Sequence, residues 1–328
     1  MFSIKNKFVK FKKISLVEID NGLGLKVTLC SYAASIYKVE LHGKTITYAP
    51  ENLSKFMFNG MFYGKTLGRT AGRVKDGKCI IDDKTYLLKT WGKHTLHGAF
   101  GLSFRNFSTK LSEDENDEIV TFSYKSKDKD QGYPGNLLVK VIYKISKTIN
   151  QIKIEYEANS DKDTILNLSN HTYWNLHGDM KKSCLDDVLT INSSKFVDVD
   201  EELIFKSIEN VNEQTNFKKG MKIGSHINDE NIQKLAKGYD HDFILDKDQG
   251  IGPDAVLSTK EINLSIYTTY PIVHLYTANV FEEKYKYHAV ALECQKEIFD
   301  LSKVILRKDD TYRNSITFRL FRNDEHLY

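Results

Sequence analysis

The sequence predicts an all-β protein, built as a large antiparallel β-sandwich with few short helices. Three observations lead to this fold class. Apolar and polar residues alternate along much of the chain, as in strands that bury one face and expose the other. Turn-forming residues separate the alternating segments. The chain contains 18 Tyr and 18 Phe, which favour strands, whereas convincing helical periodicity is scarce.

The predicted strands are segments in which every second residue is apolar. The clearest are residues 23–29, 137–145, 152–158, 262–266 and 316–320. The turn signals between segments are Asn21-Gly22, Asp76-Gly77, Tyr133-Pro134-Gly135 and Gly252-Pro253. Because such strands have one wet face, they are expected to pair in antiparallel sheets.

Short helical turns are expected near residues 51–58 and 228–237. The acidic run 113–118 is interpreted as a solvated loop before a strand. There is no linker rich in Ser, Pro or Gly and no internal repeat, so residues 1–328 are expected to form a single sandwich domain.

Composition excludes several classes of protein. The 328 residues include 47 basic and 44 acidic side chains, and a net charge of +3 argues against a nucleic-acid binder. The four cysteines are scattered, which is typical of a reduced, intracellular chain. There is no signal-peptide core, and no apolar run reaches the ~18 residues of a membrane span. The protein is therefore expected in the cytoplasm, away from membranes, as a monomer or homodimer.

The most informative segment runs from residue 167 to 176, where His171 lies among amides, hydroxyls and aromatic rings. Amides and hydroxyls match the hydroxyls of a sugar, and aromatic faces match its C–H faces. Burying so many polar side chains is costly unless partners are supplied. A polar cleft therefore explains the segment more economically than a polar core with a satisfied histidine.

Two glycine-containing segments add candidate ligand contacts. Residues 68–74 carry Arg69 and Arg73, and a guanidinium offers five fixed donors that suit neighbouring hydroxyls. Residues 95–101 place His97 beside glycine, which lets the backbone turn close to a ligand. The alternatives are two solvated arginines in a turn and a histidine in a loop that only needs its glycines.

Three further segments carry ionisable groups on predicted strands. Asp240 would accept hydrogen bonds from adjacent sugar hydroxyls, although acidic residues are common at strand starts. Glu293 ends a short apolar strand, and a buried carboxylate is uncommon without a partner or a task. His274 and Tyr276 share one strand face, where they line a cleft or simply face solvent. An Asp-x-Asp metal site lacks further acidic ligands at calcium-loop spacing.

In this order the segments resemble the aldose 1-epimerases, also called galactose mutarotases. The resemblance covers roughly residues 15 to 322. The matching motifs are Gly-Arg-x-x-(Asn/Gly)-Arg at 68–73, Leu-His-Gly-Gly at 96–99 with Ala99 in the last place, Gly-Tyr-Pro-Gly at 132–135, Asn-His-(Ser/Thr)-Tyr-Phe-Asn-Leu at 170–176 with Trp174 in the Phe place, Asp-His-(Asn/Asp)-Phe at 240–243 and Leu-Glu-(Thr/Pro/Cys)-Gln at 292–295.

The resemblance implies a galactose mutarotase-like supersandwich that interconverts the α and β anomers of a free aldohexose such as galactose or glucose. By motif position, Glu293 is the general base and His171 the general acid, while His97 assists at the ring oxygen. Arg73 and Asp240 hold sugar hydroxyls. The other substrate contacts expected are His274, Asn170 and Tyr173. Anomerisation moves no net electrons, so neither a cofactor nor a metal is expected.

Ordinary pKa values place Glu near ~4.3 and His near ~6.5. The carboxylate of Glu293 would then be ready as a base at neutral pH. His171 would have to be protonated to act as an acid, and nearby Glu293 and Asp240 are expected to favour that state. Two departures from the family affect specificity rather than chemistry: His274 replaces a common Gln or Phe, and Ala99 lies in the loop beside His97.

Other functions remain open at this point. A hexose-6-phosphate mutarotase would need a cationic pocket, to which Arg69 and Arg73 would contribute. A glycosidase would need two carboxylates ~5–9.5 Å apart, and Glu293 with Asp240 is the only motif-borne pair. A silent sugar-binding relative would have lost the acid or the base. A metal enzyme using His97, His171 and His241 is disfavoured because these histidines show no close ligand spacing.

Overall fold

The computed structural model describes residues 2–9, 12–247 and 252–324, and β-strands dominate these residues. Three larger sheets and four two-stranded ribbons account for the strands, and neighbouring strands pair antiparallel throughout. The strands predicted from alternation are all present, so the all-β class is confirmed.

The largest sheet contains nine strands. In spatial order they are β11 (Ser108–Glu113), β12 (Asp117–Ser126), β13 (Leu137–Ser146), β14 (Gln151–Ser160), β28 (Tyr312–Arg322), β24 (Ile262–Thr268), β23 (Ala255–Ser258), β18 (Val188–Ile191) and β21 (Met221–Lys222). A five-stranded sheet precedes it in the chain: β1 (Phe2–Val9), β2 (Lys12–Asp20), β3 (Leu25–Cys30), β4 (Ser35–Leu41) and β5 (Lys44–Thr45).

A six-stranded sheet carries most of the conspicuous polar residues. In spatial order it contains β17 (Tyr173–Trp174), β26 (Val290–Gln295), β25 (Ile272–Tyr276), β22 (Asp240–Leu245), β19 (Ser193–Val199) and β20 (Phe205–Asn210). The ribbons pair β6 (Thr66–Leu67) with β16 (Ser169–Asn170), β7 (Arg73–Val74) with β10 (Thr95–Leu96), β8 (Lys78–Ile81) with β9 (Lys84–Leu87), and β15 (Thr164–Ile165) with β27 (Ile305–Leu306).

Helices are short, as the sequence predicts. The α-helices of the described residues, α1 (Leu53–Met57) and α2 (Glu230–Ala236), lie within the two stretches expected to be helical. The 3₁₀ turns are Lys75–Gly77, Leu102–Phe104, Asp130–Gly132, Ile223–Ser225, Glu283–Tyr285 and Leu301–Val304. No helix among the described residues has the length and apolar content needed to cross a bilayer.

The main hydrophobic core lies between the six-stranded and nine-stranded sheets. Trp174 of the first and Phe318 of the second have ring centroids 5.0 Å apart. Alternation assigns Phe243, Val273 and Leu292 to this core. Because successive side chains of a strand point to opposite faces, residues one position away on β22, β25 and β26 lie on the outer face of the six-stranded sheet.

The acidic run 113–118 matches the expectation in part. Strand β11 ends at Glu113 and β12 begins at Asp117, so residues 114–116 form the exposed loop before a strand, whereas Asp117 and Glu118 already belong to β12. Glu118 is only 7 % exposed, because its side chain falls on the inner face of β12. Charge alone therefore misplaced the end of this loop.

Candidate active site

A cleft opens on the outer face of the six-stranded sheet, where three strands meet the loops after β10 and β16. Its volume is about 330 Å³, within the range of small-molecule sites. It is lined by seven of the eight site residues predicted from the sequence: Arg73, His97, His171, Tyr173, Asp240, His274 and Glu293. The fold therefore brings together residues from six separate segments of the chain.

Glu293 and His171 face each other at the bottom of this cleft. The Nε2 atom of His171 lies 3.2 Å from Oε1 of Glu293, and both residues are almost fully buried. Glu293 therefore is neither at a strand end nor exposed: it lies inside β26, whose six residues are all buried. Such a pair is able to exchange a proton directly.

Burial sets the protonation of this pair and corrects the sequence expectation. Burial raises the pKa of Glu293 to about 8, which the positive charge of His274 partly opposes. Burial, together with the positive charge of His274, lowers the pKa of His171 to about 3. His171 is therefore neutral at neutral pH and Glu293 carries the proton, the reverse of the distribution expected from the sequence.

His97 approaches the pair from the loop after β10. Its ring centroid lies 5.5 Å from that of His171, and its Nδ1 accepts a hydrogen bond from the Gly72 amide at 3.3 Å. Burial lowers the pKa of His97 well below its ordinary value, with His171 and Arg73 adding to the effect. Nδ1 accepts a hydrogen bond, so Nε2 carries the proton of the neutral ring and is available as a donor.

The loop after β10 has a strained backbone. His97 and Ala99 have positive φ values of 48° and 53°. Gly98 between them is required, because a Cβ there would lie 2.1 Å from the carbonyl oxygen of Gly68. Ala99 thus occupies a conformation that glycine adopts more easily, at the position where the family pattern has glycine.

Asp240, His274 and Asp242 form an ionised group beside the neutral pair. The Nε2 atom of His274 lies 3.0 Å from Asp240, and Nδ1 lies 2.8 Å from Asp242. Burial opposes the charge on His274, but hydrogen bonds to both carboxylates outweigh it and raise its pKa well above the ordinary value. Burial likewise acts to raise the pKa of Asp240, yet His274 and Arg73 hold it below the ordinary range.

Arg73 enters the cleft from β7, and its guanidinium lies 3.8 Å from Asp240. The Arg73 side chain is 26 % exposed. Tyr173 is buried along the opposite wall, with its ring centroid 4.7 Å from that of His171. These two residues border the space in front of the Glu293–His171 pair.

Asn170 is the one predicted substrate contact that lies behind the cleft. Its amide donates to the carbonyl of Gly64 at 3.1 Å, and its Oδ1 accepts hydrogen bonds from the amide and hydroxyl of Thr172. Gly64 in turn donates to the carbonyl of His171. The Asn170 side chain is therefore engaged in holding the backbone around His171, which leaves it turned away from a ligand.

The sequence prediction assigned no role to Gln295, which lines the cleft, or to Asp242, which lines a neighbouring cavity. Gln295 donates to the same Asp242 oxygen that His274 contacts, at 2.8 Å. Its own Oε1 is buried and has no hydrogen-bond partner among the described residues. The period of two was the available signal, because Asp242 follows Asp240 and Gln295 follows Glu293 on the same strand face.

Three residues of the cleft lie close enough together to share a metal ion. His97, His171 and Glu293 each offer a ligand atom, and these atoms lie within 4.8 Å of one another. His241, the third histidine considered from the sequence, lines a different cavity with Phe196. In the trio, His171 and Glu293 already face each other and Nδ1 of His97 accepts a backbone hydrogen bond, which fits proton transfer better than ligation.

The fold and the cleft together define a β-sandwich protein of the mutarotase type. The family model for aldose 1-epimerase matches residues 15–319, and the chain belongs to this family of isomerases. Its fold superimposes on galactose 1-epimerase from Lactobacillus acidophilus with a TM-score of 0.88, at 28 % identity over 98 % of this chain and 99 % of that one.

Other relatives agree with this assignment. Aldose 1-epimerase from Haemophilus influenzae is 33 % identical over 66 % of this chain and 64 % of its own length. Aldose 1-epimerase from Escherichia coli is 29 % identical over 80 % of this chain and 78 % of its own. The aldose epimerase homologue from C. elegans superimposes with a TM-score of 0.83, at 26 % identity over 94 % and 98 % of the two chains.

Proposed function

We propose that this protein is an aldose 1-epimerase that interconverts the α and β anomers of a free aldohexose, galactose or glucose being the first candidates. The observation that supports this most is the buried Glu293–His171 pair, 3.2 Å apart at the bottom of the cleft. Relatives named aldose 1-epimerase and galactose mutarotase add support.

The pair has the proton count that the reaction needs. With one pKa near 8 and the other near 3, it holds a single proton across the neutral range. When that proton moves to His171, Glu293 becomes a base and His171 an acid. Glu293 then accepts the proton of the C1 hydroxyl while His171 donates one to the ring oxygen.

The bond between C1 and the ring oxygen breaks as the C1 carbonyl forms, and the pair again carries one proton, now on Glu293. Rotation about the C1–C2 bond presents the other carbonyl face, and reversal of both transfers closes the ring as the other anomer. His97 lies beside His171 and supplies a neutral N–H donor to the ring oxygen. Each proton-transfer group contributes about 10²–10⁴ in rate.

The remaining cleft residues hold the sugar in this scheme. Arg73 and Asp240 bind adjacent hydroxyls as donor and acceptor, and Tyr173 packs against a C–H face. His274 contributes through Asp240, and Asn170 positions the backbone of His171. The cysteines of the described residues are all buried and free, which suits the reducing cytoplasm. Residues 1–328 act as one domain in this proposal, with residues from Val17 to Leu320 sharing one core.

A phosphorylated hexose is the second candidate substrate. A neighbouring cavity of about 260 Å³ shares Arg73 with the cleft and is also lined by Lys75 and Lys78. Those lysines would suit a phosphate. Arg69 does not contribute, because it is buried away from both cavities, and the two carboxylates of Asp240 and Asp242 face the same space and oppose an anion.

Polarimetry on freshly dissolved α-D-galactose and α-D-glucose tests the proposal. The protein should accelerate mutarotation, and Glu293→Gln and His171→Asn should each lower kcat by about 10²–10⁴. Glu213→Gln, at an exposed glutamate outside the cleft, is the matched control and should retain full activity. Absence of acceleration by the wild-type protein, or a wild-type rate in Glu293→Gln, contradicts the proposal. Inhibition by hexose 6-phosphates far below the free-sugar KM would favour the phosphorylated substrate.

A further inference from the structure

The position of His274 points to a role beyond contact with a sugar. In the antiparallel register, Asp242 of β22 is opposite His274 of β25, and His274 is opposite Glu293 of β26. These three side chains form one row across the outer face of the sheet. Directly opposed residues have Cβ atoms about 4.5–5.5 Å apart, so the imidazole lies between the aspartate and the proposed base.

The contacts of His274 define its charge. Its two ring nitrogens each face a carboxylate oxygen, Asp240 at 3.0 Å and Asp242 at 2.8 Å. Because an ionised carboxylate only accepts hydrogen bonds, both nitrogens must carry a proton, and the ring is an imidazolium. Gln295 also donates to Asp242 and so fixes that carboxylate as an acceptor.

We propose that His274 is a positioning residue: as an imidazolium clamped between Asp240 and Asp242, it supplies the positive charge that keeps Glu293 able to release its proton and act as a base. The inference rests on the proposed function, in which Glu293 is that base. It makes His274 a determinant of the charge state of Glu293. An uncharged side chain at this position would leave the carboxylates of Asp240 and Asp242 beside that of Glu293 without a compensating charge.

The net charge of the Asp240–His274–Asp242 group gives the sign of the expected effect on the ionisation of Glu293. Asp240, His274 and Asp242 together carry a net charge of −1. Without the imidazolium the group carries −2, which makes ionisation of Glu293 harder. Without the charge of Asp242 the group is neutral while His274 stays paired with Asp240, which makes ionisation easier. Removing both restores −1. The other charged or titratable groups that line the cleft are Arg73, His97, His171, Tyr173, Lys237, Tyr276 and Glu293. His241 lies between the two aspartates on β22.

The alkaline limb of kcat/KM reports the loss of the last proton from the Glu293–His171 pair. We expect His274→Gln to move this limb up by about one pH unit and Asp242→Asn to move it down by a similar amount. The double variant should return it to the wild-type position. His226→Gln is the matched control, because His226 forms a histidine–aspartate pair with Asp229 outside the cleft.

The outcomes separate this inference from the proposed function. If wild type is active and Glu293→Gln is not, but the limbs of wild type and His274→Gln coincide, the role of His274 is refuted while the proposed function stands. If His274→Gln does not fold, Asp242→Asn decides: a downward shift supports the charge count, and an unchanged or raised limb overturns it. If Glu293→Gln retains wild-type activity, the proposed function fails first.

Discussion

Arg69 and Arg73 lie four residues apart in one motif, yet the structure uses them in opposite ways. Arg69 is 2 % exposed, and all three nitrogens of its guanidinium donate hydrogen bonds. The acceptors are Ser126, Lys127, Pro134, Gly135 and Thr164. Arg73 lies in the cleft, and among the described residues its guanidinium has only the 3.8 Å contact with Asp240.

The difference between the two arginines distinguishes a structural residue from a residue that is available to a ligand. A buried cation with all its donors paired is a structural element, because any change leaves several acceptors unsatisfied. A cation that borders a cavity with most of its donors free is available to a ligand. Glu293 and Asn170 show a similar difference: both are buried, but Asn170 hydrogen-bonds Gly64 and Thr172 behind the cleft, whereas Glu293 lines the cleft beside His171.

The largest expected effect is the loss of protein stability when Arg69 is replaced. In Arg69→Met the acceptors around the former guanidinium lose their partners, and we expect unfolding to become easier by about 3–5 kcal/mol. Urea denaturation measures this. Arg313→Met is the control, because the Arg313 side chain is 71 % exposed, and it should change stability by less than about 0.5 kcal/mol. Equal stability of the two variants would show that Arg69 is dispensable for the scaffold.

Arg73 should show the converse behaviour. In Arg73→Gln we expect kcat/KM to fall about 30-fold, or about 2 kcal/mol, because a charge-assisted hydrogen bond to the sugar is lost. The free energy of unfolding should stay within about 0.5 kcal/mol of wild type, since Arg73 supports little structure. Arg73→Lys keeps the charge and should lose less. A stability loss as large as that of Arg69→Met would remove the distinction between the two arginines.

The sequence predicts features that are local to one segment better than features that depend on contacts between segments. Alternation within one segment is local information, so strands such as Leu137–Ser146 and Gln151–Ser160 were predictable before any partner was known. The members of the cleft were predictable where a motif carried them. Asp242 and Gln295 also lie within motifs but were given no role, because the contacts of Asp242 with His274 and Gln295 arise only when the strands pair.

Protonation was the part that sequence could not provide. The expectation of a charged His171 considered the attraction of Glu293 and Asp240, both named by motifs. It omitted burial, which requires the folded chain and which dominates the pKa of both members of the pair. The sequence thus named the two groups that we propose to exchange protons, but not which of them carries the proton at rest.

The pH profile sharpens this point. The Glu293–His171 pair loses its last proton as pH rises through about 8, so no acid remains, and it gains a second proton only near 3. We therefore expect kcat/KM to be flat between pH 5 and about 7.5 and to fall about tenfold by about pH 9. Rates are measured by polarimetry after subtraction of buffer catalysis. An acid limb near pH 4–5 would instead indicate a Glu293 of ordinary pKa.

Lys65 offers the smallest and most informative test, because it is buried like Arg69 but poorly paired. Among the described residues, its ammonium donates one hydrogen bond, to the carbonyl of Met57, and lies 4.3 Å from the ring centroid of Phe104. Burial lowers its pKa to about 7. Between about pH 7 and 10.4 the unfolded chain therefore binds one more proton at this side chain, and the stability of the wild-type protein rises with pH.

Lys65→Met removes that pH dependence. At pH 7 the lost hydrogen bond and aromatic contact offset much of the gain, so we expect the variant to be more stable by about 1 kcal/mol. At pH 9 the wild-type lysine is already neutral in the folded state, and the order should reverse by about 1 kcal/mol. Urea denaturation at both pH values, with exposed Lys55→Met as control, measures the crossing. If the difference in free energy of unfolding between the two proteins were the same at both pH values, Lys65 would stay charged when buried. Hydrogen-bond pairing would then not be what distinguishes Arg69 from other buried cations.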